Sequence, residues 1–292
     1  MRVARFPAGL AHWVYDVALA SGRALVVRIG GALARPMFAA AARLSGELRP
    51  LGVPLPELLA AGDADGRPYL ILERLPGTDL RFVYRALARA EKDALAERVA
   101  DAQARVARRP EGRGFGYAAH PDGPFSHGSW TDVIRASLAR SRGRVADVRA
   151  PEIAAMPRLE RAVERLALGL DAVRPTPFLD DTTTKNVIVD RGALSGIVDV
   201  DWLGYGDPLL PIALTRAALL SEELDTDYVD AWCRHARPDA AASPLLRLYT
   251  AVFCADFLSE AGQAFNRDRP HAIADDHARR LAAILDDQLA GL

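Results

Sequence analysis

The chain has 292 residues, half of them hydrophobic, with 37 basic against 38 acidic side chains and a formal net charge of −1. That length can bury one large core or two modest lobes, while the balanced charge offers no sequence-wide attraction to nucleic acid or an anionic membrane. No apolar run approaches the roughly 20 residues of a membrane span, and the opening MRVARFPAGLAHW lacks the apolar centre of a secretory leader, so a cytoplasmic protein is expected.

In chain order, Trp13 to Leu19, a Ser21-Gly22 turn and Ala24 to Ile29 read as a hairpin. Pro36 then opens an alanine-rich helix that runs through Leu48 and is broken by Gly52-Val53-Pro54-Leu55-Pro56, and Pro68 to Glu73 reads as a further strand. From Asp79 the pattern turns helical, with apolar periodicity over Glu91–Arg109, Trp130–Arg140, Pro157–Leu170, Leu209–Glu222 and Leu245–Phe265. The Gly-, Pro- and His-rich interval from Pro110 to Ser129 reads as a long loop. The expected fold is α+β with two lobes: residues 1–75 strand-rich, residues 76–292 mainly helical around one hairpin. Cys233 and Cys254 lack Cys-x-x-Cys partners and read as buried thiols.

The chemistry concentrates between Phe178 and Asp207. Asp181 stands five residues before Asn186, and Asn186 thirteen before Asp199, with Val187-Ile188-Val189 and Ile197-Val198 as apolar β runs around an Asp190-Arg191-Gly192 turn. A hairpin of this kind holds an amide and a carboxylate at adjacent strand ends, where both reach one ion. Metal-assisted phosphoryl transfer needs such a set: a carboxylate to accept a hydroxyl proton and hard oxygen ligands for Mg2+. Asp, Thr and Asn also build ordinary turns. Here two spacings, two flanking strands and a following Gly206-Asp207-Pro208 coincide.

On these residues the chain resembles the aminoglycoside phosphotransferase and choline kinase-like family, small-molecule relatives of the protein kinases, across nearly its whole length. The resemblance implies Asp181 as catalytic base, Asn186 and Asp199 as Mg2+ ligands, and Gly206-Asp207-Pro208 as a structural motif. It departs at Leu179 and Asp180, where the family has His-Gly, so the buried His that braces the loop is missing. Lys185, one of two lysines in the chain, directly precedes Asn186 and is a second catalytic candidate, its ammonium directed at the transferring phosphoryl group. Its competing reading is a solvated loop lysine. Asp180 is expected to point away from the cleft and to cap the amides of the Thr182-Thr183-Thr184 turn.

For ATP, the resemblance assigns Gly9 to the turn covering the phosphates and Arg28 to the cation on the second hairpin strand, where the family has lysine. It places the Glu73 carbonyl and the Leu75 amide at the adenine edge of the hinge. Protein kinases pair that cation with a helix glutamate. None stands at the expected turn, and Glu47 lies about two turns late, so either Glu47 serves through a register shift or the pair is missing.

Only Val200 to Tyr205 separate Asp199 from Gly206, which leaves no room for a peptide-holding segment and favours a small hydroxyl acceptor. The acidic C-terminal region suggests a cationic acceptor, with Asp256 and Glu260, four apart on one helix face, as the substrate-facing pair. The expectation is an ATP- and Mg2+-dependent phosphotransferase acting on an aminoglycoside, other antibiotic, amino alcohol or sugar, working as a monomer or homodimer. The alternatives are a silent nucleotide-binding relative and a metal-dependent hydrolase built on Asp180-Asp181 and Asp199-Asp201.

Overall fold

The structure, a computed structural model, describes residues 1–6, 12–146, 155–237, 242–263 and 271–292. Strands β1 (Arg2–Arg5), β2 (Trp13–Ala18) and β3 (Ala24–Ile29) begin an antiparallel sheet, and helix α1 (Arg35–Leu48) packs on it before β4 (Leu58–Ala64) and β5 (Arg67–Glu73) complete it in the order β1-β2-β3-β5-β4. The predicted hairpin is β2–β3, turned at Gly22 with φ +84°. Strand β4, rich in Leu and Ala and without a β-branched residue, is an addition to the elements expected from the sequence.

The chain then crosses to the second lobe. Strand β6 (Thr78–Asp79) pairs with β9 (Val187–Asp190), and a Cβ at Gly77 would sit 2.1 Å from the Val189 carbonyl oxygen, so the crossing needs glycine. Helices α2 (Leu80–Val83), α3 (Arg89–Ala107), α4 (Trp130–Ala146), α5 (Met156–Arg165) and α6 (Ala167–Asp171) follow, with β7 (Gly116–Ala118) between α3 and α4. The single helix expected over Pro157–Leu170 is therefore two, divided at Leu166, and the Pro110–Ser129 loop contains a short strand. Strand β8 (Thr176–Leu179) leads into the Asp181 loop. After it, β9 and β10 (Ala193–Ile197) form the predicted hairpin, whose turn places Arg191 and Gly192 at positive φ. Strand β11 (Leu203–Gly206) then pairs antiparallel with both β7 and β8.

Helices α7 (Leu210–Ser221), α8 (Asp227–Ala236), α9 (Ala242–Ser259) and α10 (Asp275–Ala290) complete the second lobe. Helix α9 stops at Ser259, six residues short of the expected end at Phe265, which lies outside the described residues. Trp130, Trp232, Tyr84, Tyr228 and Tyr249 fill this lobe's core, and the polar ends of three of them are satisfied inside it. The Trp130 indole donates to the Tyr249 hydroxyl at 2.8 Å, Tyr249 donates to Asp207 at 2.8 Å, and Tyr84 donates to the Asp225 carbonyl at 2.9 Å. The first lobe's own cluster is small, centred on Phe38, Ala41 and Leu70. A further cluster joins the lobes, with Leu44, Leu48, Val53 and Leu55 against Ala102, Val106, Leu179 and Ile197. Each such buried Leu or Ile contributes roughly 1.5–3 kcal/mol, so the end of α1 is tied to the second lobe.

Candidate active site

The predicted carboxylate, amide and second carboxylate converge where the two lobes meet. Asp181 is exposed at the end of β8, with one carboxylate oxygen accepting from the Thr183 hydroxyl at 2.7 Å and the Thr183 amide at 3.4 Å. The turn is therefore capped by Asp181, not by Asp180 as expected. Asn186 donates its side-chain amide to the Asp181 carbonyl at 2.9 Å, and its own backbone bridges the Thr183 carbonyl and the Val198 amide, both at 2.9 Å. With its NH2 group used in this way, the amide oxygen of Asn186 is the end left for a cation.

Asp199 adopts φ +64°, a left-handed conformation that Asp tolerates better than most residues. Enclosure in the cleft pushes its carboxyl up against the pull of Arg28, with Asp201 and Asp181 pushing the same way as burial. An amide oxygen and a carboxylate, with two further carboxylates nearby, are the hard donors that Mg2+ takes alongside phosphate oxygens, so the residues present fit that ion. Among the described residues no cluster of three or more His, Cys, Asp or Glu side chains forms a self-sufficient metal cage.

The missing His brace has a substitute that the sequence reading did not find. Gln103 of α3 donates to the Leu179 carbonyl at 2.8 Å and accepts from the Leu179 amide at 2.8 Å, while also reaching the Thr182 hydroxyl at 3.2 Å. Leu179 itself is fully buried in the inter-lobe core. Packing and a side-chain amide thus replace the imidazole. The loop is also held from the hinge side, where the Arg81 amide donates to the Thr184 carbonyl at 3.0 Å.

Asp180 lies against Tyr117, whose hydroxyl offers it a hydrogen bond. Burial, with Asp181 next to it, raises the Asp180 carboxyl to about 7 despite that bond. Tyr117 also lines a cavity of about 510 Å3 between α1 and the segment after β7, bounded by Pro36, Ala39, Arg43, His120 and Trp202.

Arg28 is buried at 6 % exposure, and its guanidinium grips both Asp201 oxygens at 2.8 and 2.7 Å while standing 3.0 Å from Asp199. Glu47, weighed as its partner, is instead bound to Arg43 and Arg109. The register-shift reading of Glu47 is therefore corrected: α1 turns that residue away from Arg28. Gly9 lies outside the described residues. At the hinge, the Glu73 carboxylate accepts from the Glu57 amide, and Leu75 is buried directly over Gly196, where a Cβ would meet its methyl at 2.7 Å.

Asp256 accepts from Ser141 at 3.1 Å, Arg144 at 3.3 Å and Arg140 at 3.5 Å, all from α4. Burial and Asp256 push the Glu260 carboxyl up, while Lys185 and Arg144 pull it down. The acidic pair is thus already surrounded by three cations. Other acidic residues of the C-terminal region are also engaged, Asp225 with Lys92 at 2.7 Å and Asp230 with Arg216 at 2.9 Å.

This arrangement, a strand-rich lobe over a helical one with a carboxylate, an amide and a carboxylate at the junction, defines a small-molecule kinase with a protein-kinase-like fold. The model of the family described as "Phosphotransferase enzyme family" matches residues 2–247, and the chain belongs to that family. Among solved structures, a thermostable mutant of aminoglycoside phosphotransferase APH(4)-Ia in its apo form is similar at 20 % identity, covering 100 % of this chain and 94 % of its own, with TM-score 0.70. The same enzyme in a ternary complex with AMP-PNP and hygromycin B aligns at 21 % identity over 99 % and 93 %, TM-score 0.69. A GDP and kanamycin complex of an APH(2") enzyme aligns at 16 % identity over 99 % and 93 %, TM-score 0.71. At these identities the likeness is one of fold. A search of curated proteins returned no match to the chain.

Proposed function

We propose that this phosphotransferase moves the terminal phosphoryl group of ATP, with Mg2+, to a hydroxyl of a small molecule. The observation that carries the reading is the constellation of exposed Asp181, the Asn186 amide oxygen and Asp199 around one short hairpin. Asp181 accepts the proton of the acceptor hydroxyl. Its carboxylate is oriented by Thr183, and an ordinary carboxylate suffices because the transition state is loose and catalysis is mainly positioning and electrostatics. Asn186 and Asp199 would hold the metal, which supplies charge to offset the phosphate oxygens. Lys185 supplies a further cation to the departing and arriving oxygens.

The nucleotide is read onto the face between β3 and the hinge, with Arg28 near the phosphates and the Glu73 carbonyl and Leu75 amide at the base. Structural neighbours solved with AMP-PNP, hygromycin B, GDP and kanamycin support a nucleotide donor and a small acceptor. The acceptor would occupy the cavity walled by Tyr117 and Trp202 and the face toward α4 and α9, a volume within the usual 300–1,000 Å3 of small-molecule sites. Asp256 and Glu260 face Arg140, Arg144 and Lys185, so this reading favours an acceptor of low net charge over a strongly cationic aminoglycoside. No helix among the described residues is long and apolar enough to cross a membrane.

ATP consumption with Mg2+ across a panel of aminoglycosides, macrolides, amino alcohols and sugars tests the reading. Product phosphorylated on a hydroxyl is expected for one class. Nucleotide binding without turnover on an extended panel would favour a silent relative, and absence of nucleotide binding would defeat the proposal.

A further inference from the structure

A guanidinium on a strand is a long, rotamer-rich side chain, and holding it at a phosphate-binding level costs side-chain entropy unless something fixes it. Helix α1, which packs on the sheet against β5 and β4, brings no carboxylate to Arg28. The residue it presents is Phe38, whose ring centroid lies 5.5 Å from the guanidinium carbon. The carboxylate comes from the other lobe. Asp201, two residues after Asp199 on the loop leaving β10, meets the guanidinium fork to fork, the geometry that makes Arg–carboxylate pairs both strong and directional. His12 closes the remaining side, edge-on to Phe38 at 5.0 Å and 4.0 Å from Asp201, with both ring nitrogens buried and without a hydrogen-bond partner.

We propose that Asp201 is the positioning residue for Arg28, taking over from the metal-bearing loop the part that a helix glutamate plays in protein kinases. The inference rests on the kinase reading and deepens its nucleotide site. It has a mechanical consequence: a swing of α1 alone leaves the pair intact, whereas displacement of the segment from Asp199 to Trp202, or of β3 against the second lobe, breaks it. One short loop then sets both the metal ligand and the phosphate-facing cation.

The test is a set of ADP titrations on the full chain, with and without Mg2+, for the unaltered protein, Arg28→Gln, Asp201→Asn, the double variant and Asp201→Glu, each checked for folding by circular dichroism. Asp201→Asn is expected to weaken ADP roughly tenfold, with the loss persisting when Mg2+ is omitted. The double variant should bind no more weakly than Arg28→Gln alone, because Asp201 acts through Arg28. Asp201→Glu should recover most of the affinity. Arg28→Lys gives a second route that spares Asp201: it keeps the charge but loses the two-point grip, and roughly a threefold or greater loss is expected.

Undiminished binding by Asp201→Asn or Arg28→Lys, additive losses in the double variant, or a loss confined to Mg2+-containing samples would each overturn the inference. The last outcome would make Asp201 a metal ligand. If the unaltered protein binds no ADP, the kinase reading itself fails and this inference with it.

Discussion

Two adjacent carboxylates in the loop after β8 have different surroundings. Asp181 is exposed and oriented by Thr183, whereas Asp180 is enclosed against Tyr117 with its carboxyl raised to about 7. Removing Asp181 as Asp181→Ala is expected to lower kcat by roughly 10²- to 10⁴-fold while leaving ADP affinity within about twofold, by steady-state kinetics and calorimetry. For Asp180 the sign follows from the raised value. A carboxyl whose folded pKa lies above its unfolded one contributes stability fully present below about pH 4 and lost as pH rises through about 7. Asp180→Asn should therefore be more stable than the unaltered protein at pH 8, by on the order of 1–3 kcal/mol, with the difference shrinking toward pH 5 in urea unfolding. A pH-independent difference would show that folding does not raise the Asp180 carboxyl. The proximity of Asp181, Asn186 and Asp199 was legible because the short loop after β8 ties Asp181 to Asn186 and the following hairpin brings Asp199 back beside it. The Arg28–Asp201 and Gln103–Leu179 contacts were not, since their partners lie 173 and 76 residues apart and no local pattern links them.

At the level of elements, α3 acts as a splint for the loop after β8. Both backbone groups of Leu179 depend on the Gln103 side chain, and Gln103→Leu leaves them buried and unpaired. A destabilisation of roughly 1–3 kcal/mol is expected, with kcat falling more than ADP affinity because Asp181 shifts relative to the acceptor. Equal stability in thermal unfolding would mean the loop is held by packing of Leu179 alone. The strongly patterned elements were readable: β2, β3 and β9 from their β-branched runs and turns, α1 from its proline start and alanine-rich helix propensity, and α3 and α7 from their apolar periodicity, whereas β10 runs Ala193–Ile197 and meets the expected Ile197-Val198 run only at Ile197. Helix α8 was hidden because its acidic start reads as solvent-facing charge, although Tyr228, Val229 and Trp232 anchor it in the core. Helix α10 was hidden by its many Asp and Arg residues, with only Leu281, Leu285 and Leu289 marking a buried stripe.

Across the whole molecule, the first lobe has little core of its own and shares the cluster of Leu44, Leu48, Val53 and Leu55 with the second. The site therefore sits between a modest sheet and a firmly packed helical body, joined by that cluster and by the Arg28–Asp201 pair. The junction is proposed as a nucleotide and metal site, with Asp199 as the residue linking the two. The direct measurement is ADP affinity by calorimetry with and without Mg2+, in the unaltered protein and in Asp199→Asn. Mg2+ should tighten ADP binding at least roughly tenfold in the unaltered protein and leave Asp199→Asn nearly unchanged. Equal affinity with and without Mg2+ in the unaltered protein, or an undiminished Mg2+ effect in Asp199→Asn, would contradict it.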